Sequence, residues 1–163
     1  MAYINPYFYD ILLNKETNNE FQCDDNIAPI VSILNKKGYK TTDSCEGHAG
    51  FTIYNETVRF GISNPYIQFD ENIKFINTDN FPYDNWSIIH EEKIEVDDMD
   101  NIVYRRDILV IRFSDQDTME DVIDNRLSFD DPEAYDKIYE YRKKFLDAEM
   151  ELFNWVKSLE EYK

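Results

Sequence analysis

Trp86-Ser-Ile-Ile-His-Glu-Glu-Lys-Ile-Glu-Val96, the segment Asp97-Asp98-Met99-Asp100-Asn101 and the run Ile102-Val-Tyr-Arg-Arg-Asp-Ile-Leu-Val-Ile-Arg-Phe113 decide the fold. Both runs are rich in β-branched residues, and the polar segment between them has hairpin chemistry. They are predicted as the longest strands of an antiparallel sheet. Towards the N-terminus the pattern continues with shorter strands over Tyr39 to Ser44, Phe51 to Tyr54, Val58 to Ile62 and Tyr66 to Phe69. A glycine-bearing turn from Glu46 to Gly50, then Asn-Glu-Thr and Ser-Asn-Pro turns, separate them. Taken in order, these strands predict a meander.

Helices frame the strands. Ile27, Ile30, Val31 and Leu34 recur at the spacing of one helical face, Asp24, Asp25 and Asn26 are N-cap types, and Gly38 stands where a C′ glycine belongs. This predicts a helix over Ile27 to Lys37. Thr118 to Leu127 reads as a second, short helix capped by Asp117 or Thr118, and Asp131-Pro132-Glu133 starts a third that runs to Tyr162. In that last helix Ile138, Tyr141, Phe145, Ala148, Leu152, Trp155, Leu159 and Tyr162 alternate three and four residues apart. Such a seam must be buried, either across the chain's own sheet or, in part, against a second copy as a homodimer. The expected architecture is a single α+β domain over residues 1–163. It comprises an N-terminal arm or strand (1–22), a short helix with an antiparallel sheet of about five to seven strands (24–113), and C-terminal helices (117–163).

Composition narrows the function. The chain of 163 residues carries 17 Lys and Arg against 34 Asp and Glu, a formal charge of −17. A nucleic-acid backbone is bound by clustered cations, so direct nucleic-acid binding is not expected. No apolar run reaches the roughly 18 to 20 residues of a membrane span, and Met1 to Asp10 lack the features of a secretory signal, so a cytoplasmic location is expected. Cys23 and Cys45, the two cysteines, are too few for a disulfide framework. A four-ligand zinc site would have to combine carboxylates with Cys and His, and no metal or cofactor is expected. Gly-rich phosphate loops, Gly-x-Ser-x-Gly, His-Glu-x-x-His and dinucleotide fingerprints do not occur.

Two constellations carry chemistry. In Asp43-Ser44-Cys45-Glu46-Gly47-His48, a cysteine and a histidine three apart meet at a strand-to-turn junction. Cys45, His48 and Asp43 are thus candidate catalytic residues, with Glu46 also tuning the pair, if imidazole activates the thiol. A half-buried structural thiol and a ligand-recognition surface are the other readings of the same turn. The second constellation is electrostatic: between Glu91 and Asp136 stand 16 acidic residues against five basic ones, a local balance of −11. Glu91, Glu92, Glu95, Asp97, Asp98 and Asp100 on the hairpin, with Asp115, Asp117, Glu120, Asp121 and Asp124 after it, are candidate partner-binding residues. A field of this sign attracts a basic protein surface.

The run from Ile27 to His48, with its Gly38-Tyr39 strand start and Ser44-Cys45-Glu46-Gly47-His48 turn, resembles small uncharacterised proteins of phages and low-GC Gram-positive bacteria. Asn64-Pro65-Tyr66-Ile67-Gln68-Phe69 is similar to a later strand of that group. The turn also distantly resembles the Ser-Cys-Ser-Gly-Arg turn of wybutosine-synthesis methyltransferase-like proteins, with Glu46 and His48 where those have serine and arginine. What the first resemblance implies is context: a phage-encoded protein working in the host cytosol. The leading expectation is therefore an acidic binding protein acting by protein-protein contact, as a nucleic-acid-mimicking inhibitor of a host defence enzyme in the manner of anti-CRISPR proteins. The alternatives are a small enzyme or ligand-binding protein at Cys45 and His48, and a dimerising structural accessory protein.

Overall fold

The computed structural model describes residues 9–13, 20–54, 57–114, 122–124, 127–128 and 130–162. Strands β1 (Tyr9–Leu13) and β2 (Glu20–Asp24) precede helix α1 (Ala28–Lys36). Then come β3 (Thr41–Cys45), β4 (His48–Tyr54), β5 (Thr57–Ser63) and β6 (Tyr66–Asp70), followed by the long pair β7 (Trp86–Val96) and β8 (Ile102–Phe113). Strand β9 (Val122–Asp124) and helix α2 (Pro132–Ser158) complete the order. The fold is a single α+β domain, and both long strands have the predicted bounds. All the pairings are antiparallel, in sheets ordered β3-β6-β8-β7, β4-β5-β9 and β1-β2.

The expected meander is corrected. β3 pairs with β6, while β4 pairs with β5, so the chain leaves one sheet at Cys45 and enters another at His48. The corner consists of Glu46 and Gly47 alone, and Gly47 turns it with a φ of +80°, a region open to glycine. The helix expected over Thr118 to Leu127 is corrected at its centre. Val122–Asp124 is a strand that pairs with Phe60–Ile62, because the free edge of β5 takes up the β-branched Val122-Ile123. Of the rest of that segment, residues 118–121 and 125–126 lie outside the described residues, and Leu127 is buried. The N-terminal arm contains β1 and the start of β2, which runs on to Asp24, whereas residues 1–8 and 14–19 lie outside the described ones.

The α2 seam is spent inside the molecule. Ile138, Phe145, Ala148, Leu152, Trp155 and Leu159 are buried, in one core with Ile30, Val31 and Leu34 of α1 and Ile67, Phe69, Leu109, Ile111 and Phe113 of the four-stranded sheet. Trp86 is fully buried and its Nε1 donates to the Ala148 carbonyl at 2.9 Å, which stitches the start of β7 to the middle of α2. Each such side chain is worth about 1.5–3 kcal/mol of transfer free energy. At the N-terminus of α2, Asp131 caps by accepting from the Glu133 amide at 3.0 Å, with Pro132 at the first helical position as predicted.

Gly38 follows the C-cap of α1 with a φ of +92°, as expected of a C′ glycine, whereas the end of α2 and the start of α1 differ from expectation. α2 stops at Ser158, four residues short of Tyr162, because Lys37 Nζ donates to the carbonyls of Val156, Lys157 and Leu159 and so ends the helix from outside. Tyr162 N then donates to the Lys37 carbonyl at 2.7 Å, and the C-terminal tail lies along the end of α1. α1 has Ile27 as its N-cap with no side-chain cap. Of the Asp24-Asp25-Asn26 run predicted to cap it, the Asp24 carboxylate and the Asn26 amide bond to Glu46 instead.

Candidate functional site

The corner from β3 to β4 sits on α2. A Cβ at Gly47 would lie 2.6 Å from Pro65 Cδ and 2.9 Å from Phe145 Cδ2, so the chain passes against the helix with no room to spare. Arg142 Nε donates to the Ala49 carbonyl at 3.3 Å just beyond it. One helical turn after Phe145, on the same face, stands Glu149.

Around this corner carboxylates converge. Glu46 is buried, and its Oε2 accepts from the Asn26 amide at 2.8 Å, while its own amide donates to Asp24 Oδ2 at 3.2 Å. The residues that looked like a helix cap thus lock the end of β2 to the corner. His48 Nε2 is 3.8 Å from Asp24 Oδ2, and Cys45 Sγ accepts from the Gly47 amide at 3.4 Å. One ligand atom each from Asp24, Cys45 and His48 lie within 4.8 Å of one another. The His48 side chain is 53% exposed and that of Asp24 16%, so the group opens to solvent on the histidine side.

Glu149 is the anomaly beneath it. The residue is 4% exposed, and among the described residues neither carboxylate oxygen has a hydrogen-bond partner. Burial, and then the charges of Glu46 and Asp24, push its carboxyl well above the usual carboxylate range. Burial also raises Glu46, an effect opposed by the Asn26 amide and reinforced by Asp24. No Lys or Arg ion pair reaches Asp24, Glu46 or Glu149 among the described residues.

The structure therefore brings Cys45 and His48 together, as the turn reading required, but it assigns Asp43 a different place. Asp43 Oδ2 accepts from the Tyr66 hydroxyl at 3.1 Å, and Oδ1 accepts from the Ser44 amide at 2.9 Å. Tyr66, the Cα partner of Cys45 across the β3–β6 pair, is pushed up by burial and then by Asp43. Asp24 and Glu149 were missed by sequence reasoning. For Asp24 the capping pattern masked the signal, whereas Glu149 gave one: it occupies an apolar position, four residues after Phe145 and three before Leu152, on the buried face of α2.

The acidic hairpin forms a separate region. β6 covers β8 only from Ile108 to Arg112, so the distal parts of β7 and β8 run on as a two-stranded ribbon. At its base the charges are matched: Arg112 holds Glu91 through two contacts of 2.7 and 3.2 Å, and Arg105 lies 3.4 Å from Glu92. At its tip they are not. Glu95, Asp97, Asp98 and Asp100 are exposed, with no Lys or Arg from residue 94 to 104. Ile94, Val96, Met99, Ile102, Val103 and Tyr104 are exposed among them, Met99 to 81%.

The tip is ordered by Asp97. Its Oδ1 accepts from the amides of Met99 and Asn101, each at 2.9 Å, and its backbone bonds to Asp100 and Asn101 close a three-residue loop. These donors hold the Asp97 carboxyl below its ordinary range. Asp100 takes the left-handed position with a φ of 60°, and Val103 is the extra residue of a bulge opposite Glu95 and Val96. Of the other candidate contact residues, Asp124 lies in β9, and Asp115, Asp117, Glu120 and Asp121 lie outside the described residues.

No helix among the described residues is long and apolar enough to cross a membrane. No family model, curated protein or solved structure matches this chain.

Proposed function

We propose that the protein acts by protein-protein contact through the tip of the β7–β8 ribbon. The observation that carries this reading is the composition of the tip: six exposed apolar side chains interleaved with four carboxylates and no cation, on a ribbon whose outer edges pair with no other strand among the described residues. Exposed apolar side chains clustered on a projection are characteristic of a partner-binding surface, and unpaired charge of one sign selects a partner of the other. The partner that fits is a basic surface with an apolar floor. A nucleic-acid-binding groove has that charge, and the specific form of the proposal is a phage-type inhibitor that occupies such a groove in a host defence enzyme. The apolar residues distinguish this surface from a purely anionic mimic of a phosphate backbone.

Dimerisation through α2 would use Tyr135, Tyr139 and Met150, the exposed apolar residues of that helix, since the predicted seam is already buried. The test of the main reading is capture from host lysate with the wild-type chain and two tip variants, Glu95→Lys/Asp98→Lys and Ile102→Ser/Tyr104→Ser. The expected result is one basic partner, released by salt and lost with both variants. A partner set unchanged by either variant would overturn the reading.

A further inference from the structure

We propose that Asp24, Cys45 and His48 form a binding site for one thiophilic divalent cation of the zinc class, with Glu149 as the buried carboxylate that accepts from a water on the metal. This site is independent of the ribbon, and three separate elements build it: the end of β2, the end of β3 and the start of β4.

The donor set has the right chemistry. Thiolate, imidazole and carboxylate together suit zinc and its neighbours and discriminate against magnesium and calcium, which prefer oxygen alone. The geometry is close. Zinc bonds of about 2.0–2.3 Å place tetrahedral donors roughly 3.2–3.8 Å apart, so a group spanning 4.8 Å needs a contraction of about 1 Å, within the reach of side-chain rotation. Asp24 is positioned in advance, because its Oδ2 already accepts from the Glu46 amide; the Cys45 sulfur accepts from the Gly47 amide as a metal-bound thiolate does. Three protein ligands leave the fourth tetrahedral position for water, and the exposed His48 side gives it an entry path.

Glu149 supplies the second, independent observation. It is buried, with both oxygens unpartnered among the described residues, and it stands one helical turn after Phe145, the ring against which the corner packs at Gly47. A protein rarely retains a buried carboxylate with no donor, and three carboxylates around one corner with no Lys or Arg ion pair among the described residues call for a cation. A divalent ion meets that demand, and its bound water gives Glu149 the donor it lacks.

The experiment uses the untagged full chain, stripped with chelator and titrated with cobalt(II). The expected result is one ion per chain, with a near-ultraviolet sulfur-to-cobalt charge-transfer band, intense four-coordinate visible bands, and loss of both when zinc is added. Cys45→Ser and His48→Ala, both checked for native circular dichroism, should abolish the charge-transfer band and weaken binding respectively. Cys23→Ser should retain the band, since that buried thiol faces Ser44 Oγ at 3.3 Å. Glu149→Gln should keep the band while weakening affinity about 10- to 100-fold. Absence of the band in the wild-type chain, or its survival in Cys45→Ser, would overturn the site; an unchanged affinity in Glu149→Gln would overturn the role of Glu149.

Discussion

Replacing Gly47 with alanine tests the corner on which the site depends. Two costs add. The φ of +80° is a left-handed conformation that costs an L-residue with a Cβ roughly 1–2 kcal/mol. The new methyl would also lie 2.6 and 2.7 Å from the Pro65 ring and 2.9 Å from the Phe145 ring, and neither ring can swing away as the end of a flexible chain would. Overpacking of this kind costs about 1–3 kcal/mol. The total is about 3 kcal/mol, and for a chain of 163 residues it lowers Tm by roughly 6–12 °C. Denaturant unfolding of both proteins should show a lower midpoint with the same slope. Gly47→Asn separates the two costs: asparagine tolerates the backbone but meets the same rings, so only part of the loss should be recovered. A Gly47→Ala protein melting within about 2 °C of the wild type would refute the close approach of the corner to α2.

Three further outcomes follow from the same structure. Glu149→Met should stabilise the metal-free protein by about 1–3 kcal/mol near neutral pH, because it removes an unpartnered buried acceptor. The sign with pH is set by the raised carboxyl: its stabilising contribution is full below the ordinary glutamate range and is lost as pH rises through the raised value, so the gain from Glu149→Met should shrink towards about pH 4.5, and a pH-independent gain in thermal melts would contradict this. Lys37→Met removes the three donations to the end of α2 and should speed amide exchange at residues 159–162 more than at the start of that helix; uniform exchange would show that Lys37 does not hold the C-terminus. Asp131→Ala removes the N-cap of α2 and should cost about 1 kcal/mol, read as a Tm lower by roughly 2–4 °C, whereas no change would deny the cap its part.

The sequence disclosed what local periodicity encodes. The long hairpin, the α2 start at Asp131-Pro132 and the buried seam were legible because alternation and three-four spacing depend on neighbours along the chain. What it concealed were choices made by distant partners. Whether β3 pairs with β4 or β6 turns on the two-residue corner at Gly47 and on which sheet has a free edge, and the strand at Val122–Asp124 exists through β5. The site divides the same way. Cys45 and His48 stand three apart in sequence and were legible there, while Asp24 and Glu149 arrive from β2 and α2 through tertiary packing. Glu149 was still visible as a charge in an apolar stripe, the kind of local conflict that marks functional positions.

The claim that the ribbon tip is the working surface is tested most directly by a photo-crosslinking residue placed at Met99, with Tyr139 on α2 as the control position. Both residues are exposed, at 81% and 69%. In a cell lysate, the Met99 probe should yield one discrete cross-linked protein that disappears when Glu95→Lys/Asp98→Lys is added, and the Tyr139 probe should not yield it. Equal cross-linking at the two positions, or a Met99 product indifferent to the charge reversal, would contradict the account.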